Sequence, residues 1–313
     1  MSGLRPLISR LREQFGGDRV QPGASLGPFT TFKVGGPADC LLITGTPDDV
    51  RRAVALAHEA DVSVRVIGGG SNLLVSDAGI RGLVVRLHGG SISQVDPGRV
   101  RAGAGVTINA LVRWTVGRGL AGLEAWAGTP GTVGGAIFGN AHFQGRNIGD
   151  LVEQVTLLRP DGAVQDVLAR AMEFGYDASR LHRTSEVVLT ADFRVTPGST
   201  ESLRSIAHES LAYRKRTQPL ASPSAGCIFQ NPDPARDRVP EGIPCSAGAL
   251  VDRAGLKGAR AGGARVSPTH GNFIVNEGGA TAADIRELIE RCRREVHRQF
   301  GVELREEIVY LGF

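Results

Sequence analysis

Lysine is nearly missing from this 313-residue chain, whose basic side is 33 arginines with only Lys33, Lys215 and Lys257 beside them. Cysteine is also scarce: Cys40, Cys227, Cys245 and Cys292 form no C-x-x-C pair, and the seven histidines include no H-E-x-x-H. Neither a zinc site nor a disulfide framework is indicated, and no metal is expected. Aromatics make up 5% of the residues, too few for a base-stacking surface. No apolar run approaches the ~18 residues of a membrane-spanning helix. The net charge is +4, but the arginines are scattered among 32 acids instead of forming a stripe, which argues against a nucleic-acid partner. Residues 1–15 lack an apolar signal core and read as a short amphipathic helix, so a reducing cytoplasm is the expected setting.

Glycine, by contrast, is abundant. There are 43, about twice ordinary usage, with no G-x-y period, and twenty of them fall between Gly68 and Gly149. The excess has two centres. VIGGGSNLL leaves a strand through Gly68, Gly69 and Gly70 and adds the polar Ser71 and Asn72. Consecutive glycines can turn backbone N–H groups onto a pyrophosphate, and they can equally make a plain turn; both readings are open on this segment alone. AGTPGTVGGAIFGNA carries Thr129, Pro130, Gly131, Gly134 and Gly135 at spacings suited to a wall for a flat or phosphate-bearing ligand. Tight helix packing through Gly134 and Gly135 is the other reading. No GxGxxG opens a helix here, and the Gly-Lys pair of a P-loop is absent.

Around these loops the pattern is mixed α and β. Acids open a helix over 47–60, and the alternation of VSVRVIG, GLVVRL, SISQVD, RVRAGAG and EVVLTADFRV predicts strands. A helix is expected over 107–118. Residues 151–168 read as a hairpin turning at Asp161 and Gly162. A helix running to Arg216 leads into a third part, where Thr281 N-caps a long amphipathic helix, and the tail 302–313 alternates as a strand.

Eight segments in order, TTFKVGGPAD, VIGGGSNLL, GTPGTVGGAIFGNA, FGY, QPLASPSAGCIFQNP, AGALVDRAGLKG, HGNFIVN and LREEI, together resemble the UDP-N-acetylenolpyruvoylglucosamine reductase family in its shorter form. The resemblance covers residues 28–311. It implies an α+β fold: a two-lobed FAD-binding module of the vanillyl-alcohol-oxidase or PCMH type, with lobes at 1–86 and 87–213, and a smaller α+β substrate-binding domain at 214–303. The tail 304–313 would return to the first lobe or the domain interface. It further implies FAD with its pyrophosphate at Gly68, Gly69, Gly70, Ser71 and Asn72 and further contacts at Thr129, Pro130, Gly131, Gly134 and Gly135. NADPH would be the hydride donor and a UDP-sugar the substrate, and a monomer is expected.

The resemblance makes Glu307 of LREEI an acid beside the substrate carboxylate, held protonated by desolvation. Cys227 of SAGCIF takes the proton-donor position, where many members have serine; a thiol donates more readily than a hydroxyl. Cys40, Cys245 and Cys292 read as core. Tyr176, Arg214, Lys215, Gln218 and Asn231 are expected on the substrate. At one position the chain departs from the pattern. The family motif is FGYRxS, whereas this sequence reads FGYDAS, with Asp177 in place of the arginine. Arg180 is the favoured replacement cation, with Arg183 and His142 as other candidates; His142 stands where the family usually has glycine. Two competing readings are another oxidoreductase of the same FAD superfamily and a catalytically silent flavin-binding homologue.

Overall fold

The computed structural model describes residues 3–313, which group into two units. The first comprises residues 3–24, 38–69 and 81–212; the second comprises 25–37, 70–80 and 213–313.

The first unit is built on two sheets. A four-stranded sheet orders its strands Val20–Pro22, Ala38–Thr44, Ile80–Leu87 and Val64–Ile67, the last two parallel. Helix Leu4–Phe15 buries Leu7, Leu11 and Phe15, one turn apart on a single stripe. Helix Pro47–Glu59 starts where Thr46 accepts the Asp49 N–H at 3.1 Å, and it buries Val50, Ala53 and Ala57. The second sheet is antiparallel, in the order Val164–Leu168, Val152–Leu158, Val187–Arg194, Arg99–Gly103 and Ile92–Asp96. Its hairpin turns through Gly162 at φ +83°, where Asp161 Oδ1 accepts the Ala163 N–H at 3.0 Å. Helices Ile108–Val116 and Val133–Phe138 complete one continuous apolar core that includes Leu83, Val100, Trp126 and Phe193.

The second unit packs helices Ala247–Arg253 and Ala282–Phe300 with a small antiparallel sheet, Arg260–Ala261, Ala264–Val266 and Ile274–Asn276. Its core takes Phe32, Val34 and Leu74 from early in the chain and joins them to Ile228, Phe229, Ile285 and Leu288. Polar ties reinforce this assembly. Asp77 accepts the N–H groups of Ala282 and Ala283 at 2.8 and 3.0 Å, and Asn276 Nδ2 donates to Phe32 O at 2.9 Å. Ser25–Pro37 and Gly70–Ile80 belong to the second unit because they bury their apolar side chains with the C-terminal residues.

The tail differs from the single strand expected over 302–313. Around Glu306 it makes one bridge to Phe229, with Gln230 N–H donating to Arg305 O and Glu307 N–H to Ile228 O, both at 2.8 Å. It then changes partner, and Val309–Leu311 runs parallel to Leu73–Val75. One short run thus serves two neighbours, and its regular strand is only three residues long.

Candidate functional site

In the first unit the glycine centres meet. A Cβ on Gly68 would lie 2.2 Å from Thr132 Oγ1, and one on Gly69 would lie 3.1 Å from Gly131 Cα, so the missing side chains let the Thr132 side chain and the Gly131 backbone approach closely. Thr132 caps the short helix Val133–Phe138, and Gly131 sits at φ +101°. The wall is fixed from behind by Asn109, which accepts the Gly128 N–H at 2.7 Å and donates to Thr129 O at 3.1 Å. Sequence reasoning missed Asn109; the signal was an amide in the first turn of the helix expected over 107–118. Pro130 and Gly135 are exposed and Thr129 is half-buried, whereas Gly134 packs against Ala104, so it serves the structural alternative.

Between Gly69 and Gly70 the chain passes from the first unit to the second. Gly70 adopts φ +64°, and a Cβ there would lie 2.3 Å from Phe29 O. The N–H groups of Gly69, Gly70 and Ser71 donate to no acceptor among the described residues. An uncommitted backbone N–H on a glycine turn is suited to an anionic oxygen.

In the second unit the backbone pairing of 228–230 with 305–307 carries Cys227 and Glu307 on adjoining segments. Asn72 Nδ2 donates to Glu307 O at 3.0 Å, and Val309 N–H donates to Asn72 O at 2.9 Å, so Asn72 braces the segment that carries the acid. Asn272, 3% exposed, clamps the other side: it accepts the Phe229 N–H at 2.9 Å and donates to Phe229 O at 2.7 Å. The HGNF motif containing Asn272 was legible, but this clamp was not. Arg214 is 5% exposed, and burial pushes its guanidinium down to about 10, against an opposing pull from the Cys227 thiolate. Cys227 itself is half-buried.

The family model for the UDP-N-acetylenolpyruvoylglucosamine reductase C-terminal domain matches residues 218–311, and that for an FAD binding domain matches residues 38–168. The UDP-N-acetylenolpyruvoylglucosamine reductase of Prochlorococcus marinus is 41% identical over 95% of this chain and 95% of its own. That of Bacillus subtilis is 37% identical over 99% of each. The crystal structure of the UDP-N-acetylenolpyruvylglucosamine reductase (MurB) of Thermus caldophilus superposes with a TM-score of 0.78 at 35% identity, covering 94% of this chain and 99% of that one. The chain belongs to the UDP-N-acetylenolpyruvoylglucosamine reductase family.

In this family member the remaining expected site residues fall in varied places. Tyr176 is 46% exposed at the tip of a tight turn. Arg180 forks onto Glu186, with Nε to Oε2 at 2.9 Å and Nη2 to Oε1 at 2.5 Å, so its charge is matched within the pair. Arg183 pairs with Glu173. Of the three candidate cations, only His142 meets Asp177, Nδ1 lying 2.9 Å from Oδ1. Lys215 is exposed on the last turn of helix Thr200–Thr217, and Gln218, just beyond it, is half-buried. Asn231 accepts the Ala247 N–H at 3.1 Å, which makes it a support for helix Ala247–Arg253. Cys40 and Cys292 are buried, and burial lifts their thiols to about 11 and about 12. Cys245 corrects the core expectation: it is exposed, its thiol donating to Pro232 O at 3.3 Å, in a loop that turns Val239 and Ile243 toward the core instead.

Proposed function

We propose that this chain reduces the enolpyruvyl ether of UDP-N-acetylglucosamine enolpyruvate to the lactyl ether of UDP-N-acetylmuramate, using FAD and NADPH, as a cytoplasmic step toward peptidoglycan. The observation that carries the reading is the placement of Cys227 and Glu307 on two hydrogen-bonded segments of the second unit, in a chain alike over nearly its full length to named reductases. Bound FAD would supply the hydride carrier that NADPH reloads, and in the first unit the Gly69 N–H with the wall at Thr129–Gly131 are the residues suited to hold it.

Hydride addition to the vinyl carbon builds negative charge on the conjugated carboxylate. Glu307, as a protonated acid, is assigned the group that stabilises that charge. Cys227 gives its thiol proton to the neighbouring carbon, completing addition of one hydride and one proton across the double bond. The thiolate left behind is stabilised by the Arg214 guanidinium until a solvent proton returns. Asn72 and Asn272 orient this pair of segments. Lys215 and Gln218 are assigned to the UDP side of the substrate.

The purified protein is expected to show a flavin spectrum that NADPH bleaches without oxygen and that the enolpyruvyl UDP-sugar restores. Bleaching without restoration selects another flavin oxidoreductase, and a colourless protein without recoverable FAD defeats the reading. Replacing Glu307→Gln is expected to slow restoration by about 100-fold or more while leaving the bleaching rate within a few-fold. Equal slowing of both half-reactions contradicts the role given to Glu307.

A further inference from the structure

The turn Gly175–Ala178 holds a buried carboxylate of which one oxygen has no donor. Gly175 N–H donates to Ala178 O at 2.9 Å and Ala178 N–H returns to Gly175 O at 3.4 Å, leaving Tyr176 and Asp177 at the tip. Asp177 sits at φ +51°, a left-handed conformation that costs a residue with a Cβ about 1–2 kcal/mol. The turn is pinned to the facing loop. Asn140 Nδ2 donates to Gly175 O at 2.7 Å, Ser179 Oγ to Phe138 O at 2.7 Å, and Gly149 N–H to Asn140 Oδ1 at 2.9 Å.

Asp177 is 8% exposed, its Oδ1 meets His142 Nδ1 at 2.9 Å, and its Oδ2 is buried with no hydrogen-bond partner. An ionised carboxylate only accepts, so this contact puts a proton on Nδ1 and fixes the ring. His182 does not supply the missing donor. It stacks on Phe138 with ring centroids 4.2 Å apart, and burial holds its imidazole below the ordinary range. Tyr176 lies against His142, ring centroids 4.8 Å apart, and gives the place an exposed aromatic edge. Leaving an acceptor buried and unmet costs about 1–3 kcal/mol. Here a left-handed residue and three side-chain hydrogen bonds hold it in position.

The geometry points to Asp177 Oδ2 as the acceptor for a hydroxyl or amide N–H of a bound ligand, with His142 as the positioning residue that aims the carboxylate through Oδ1. The source of that donor, flavin cofactor or UDP-sugar, rests on the reductase reading.

Asp177→Asn keeps the shape and presents an amide in place of the carboxylate. If the sugar nucleotide supplies the donor, its KM rises about ten- to hundredfold while FAD content and bleaching by NADPH stay as in the parent protein. If FAD supplies it, the apparent Kd for FAD on reconstitution rises by a similar factor. Unchanged values for both overturn the proposal, the oxygen then being met by water. His142→Gln retains an N–H for Oδ1 and is expected to move the same parameter by less than Asp177→Asn does. A larger shift than that of Asp177→Asn overturns the assignment of Oδ2. Failure of the parent protein to be restored by the enolpyruvyl UDP-sugar would sink the reductase reading separately, and the FAD arm would still test Asp177.

Discussion

Arg180 and Glu186 exchange two hydrogen bonds at a spacing of six residues, with the Glu186 side chain only 7% exposed. The hydrogen bonds from Arg180 hold the Glu186 carboxyl below its ordinary value. A depressed folded value means that the pair's stabilisation is complete above the ordinary carboxylate range, near 4.5, and fades as pH falls through the lower folded value. Glu186→Gln is expected to cost about 1–3 kcal/mol at pH 7 and much less near pH 3; an unchanged Tm at pH 7 argues against the pair. A pairing of this kind is not legible in sequence, because six residues along an irregular loop correspond to no fixed geometry. The segments that carry Cys227 and Glu307 were legible as motifs, whereas the backbone hydrogen bonds that join 228–230 to 305–307 were not. The charge of the buried Arg214 favours the Cys227 thiolate, which offers a further check: Arg214→Gln is expected to slow alkylation of Cys227 severalfold at pH 7.5.

The helices were the most readable elements, since first-turn acids open the one at 47–60, Thr281 caps the long one and the apolar spacing follows; the caps Thr46 and Thr107 came from the structure. What sequence did not reveal is how the long helix Ala282–Phe300 is finished. Thr281 and Asp284 form a capping box, and Asp77, two hundred residues earlier in the chain, takes the next two N–H groups. The carboxylate also sits at the positive end of the helix dipole. Asp77→Ala is therefore expected to cost about 1 kcal/mol, a fall in Tm of roughly 2–4 °C for a unit of this size; a shift within half a degree sinks the cap. The tail was misread for a related reason. Its alternation is real, but the switch from Phe229 to Leu73–Val75 depends on which neighbours the fold brings alongside, and local pattern carries no trace of that.

For the molecule as a whole, the C-terminal family model begins at residue 218, yet the second unit needs earlier pieces of chain. Residues 213–313 alone lack Phe32, Val34 and Leu74 from the core and the strand that pairs with Val309–Leu311. Expressed as a fragment, they are expected to show no cooperative thermal transition, and a sharp one would contradict the interleaving. The poverty in lysine has a practical counterpart. Lys33 and Lys215 are both exposed, Lys33 with its Nζ donating to Pro28 O, and Lys257 is half-buried and tied to Asp252 at 2.6 Å. An amine-reactive reporter should therefore reach few side chains, chiefly Lys33 and Lys215, and in a Lys33→Arg variant a near single-site label at Lys215 would report on the residue assigned to the UDP moiety.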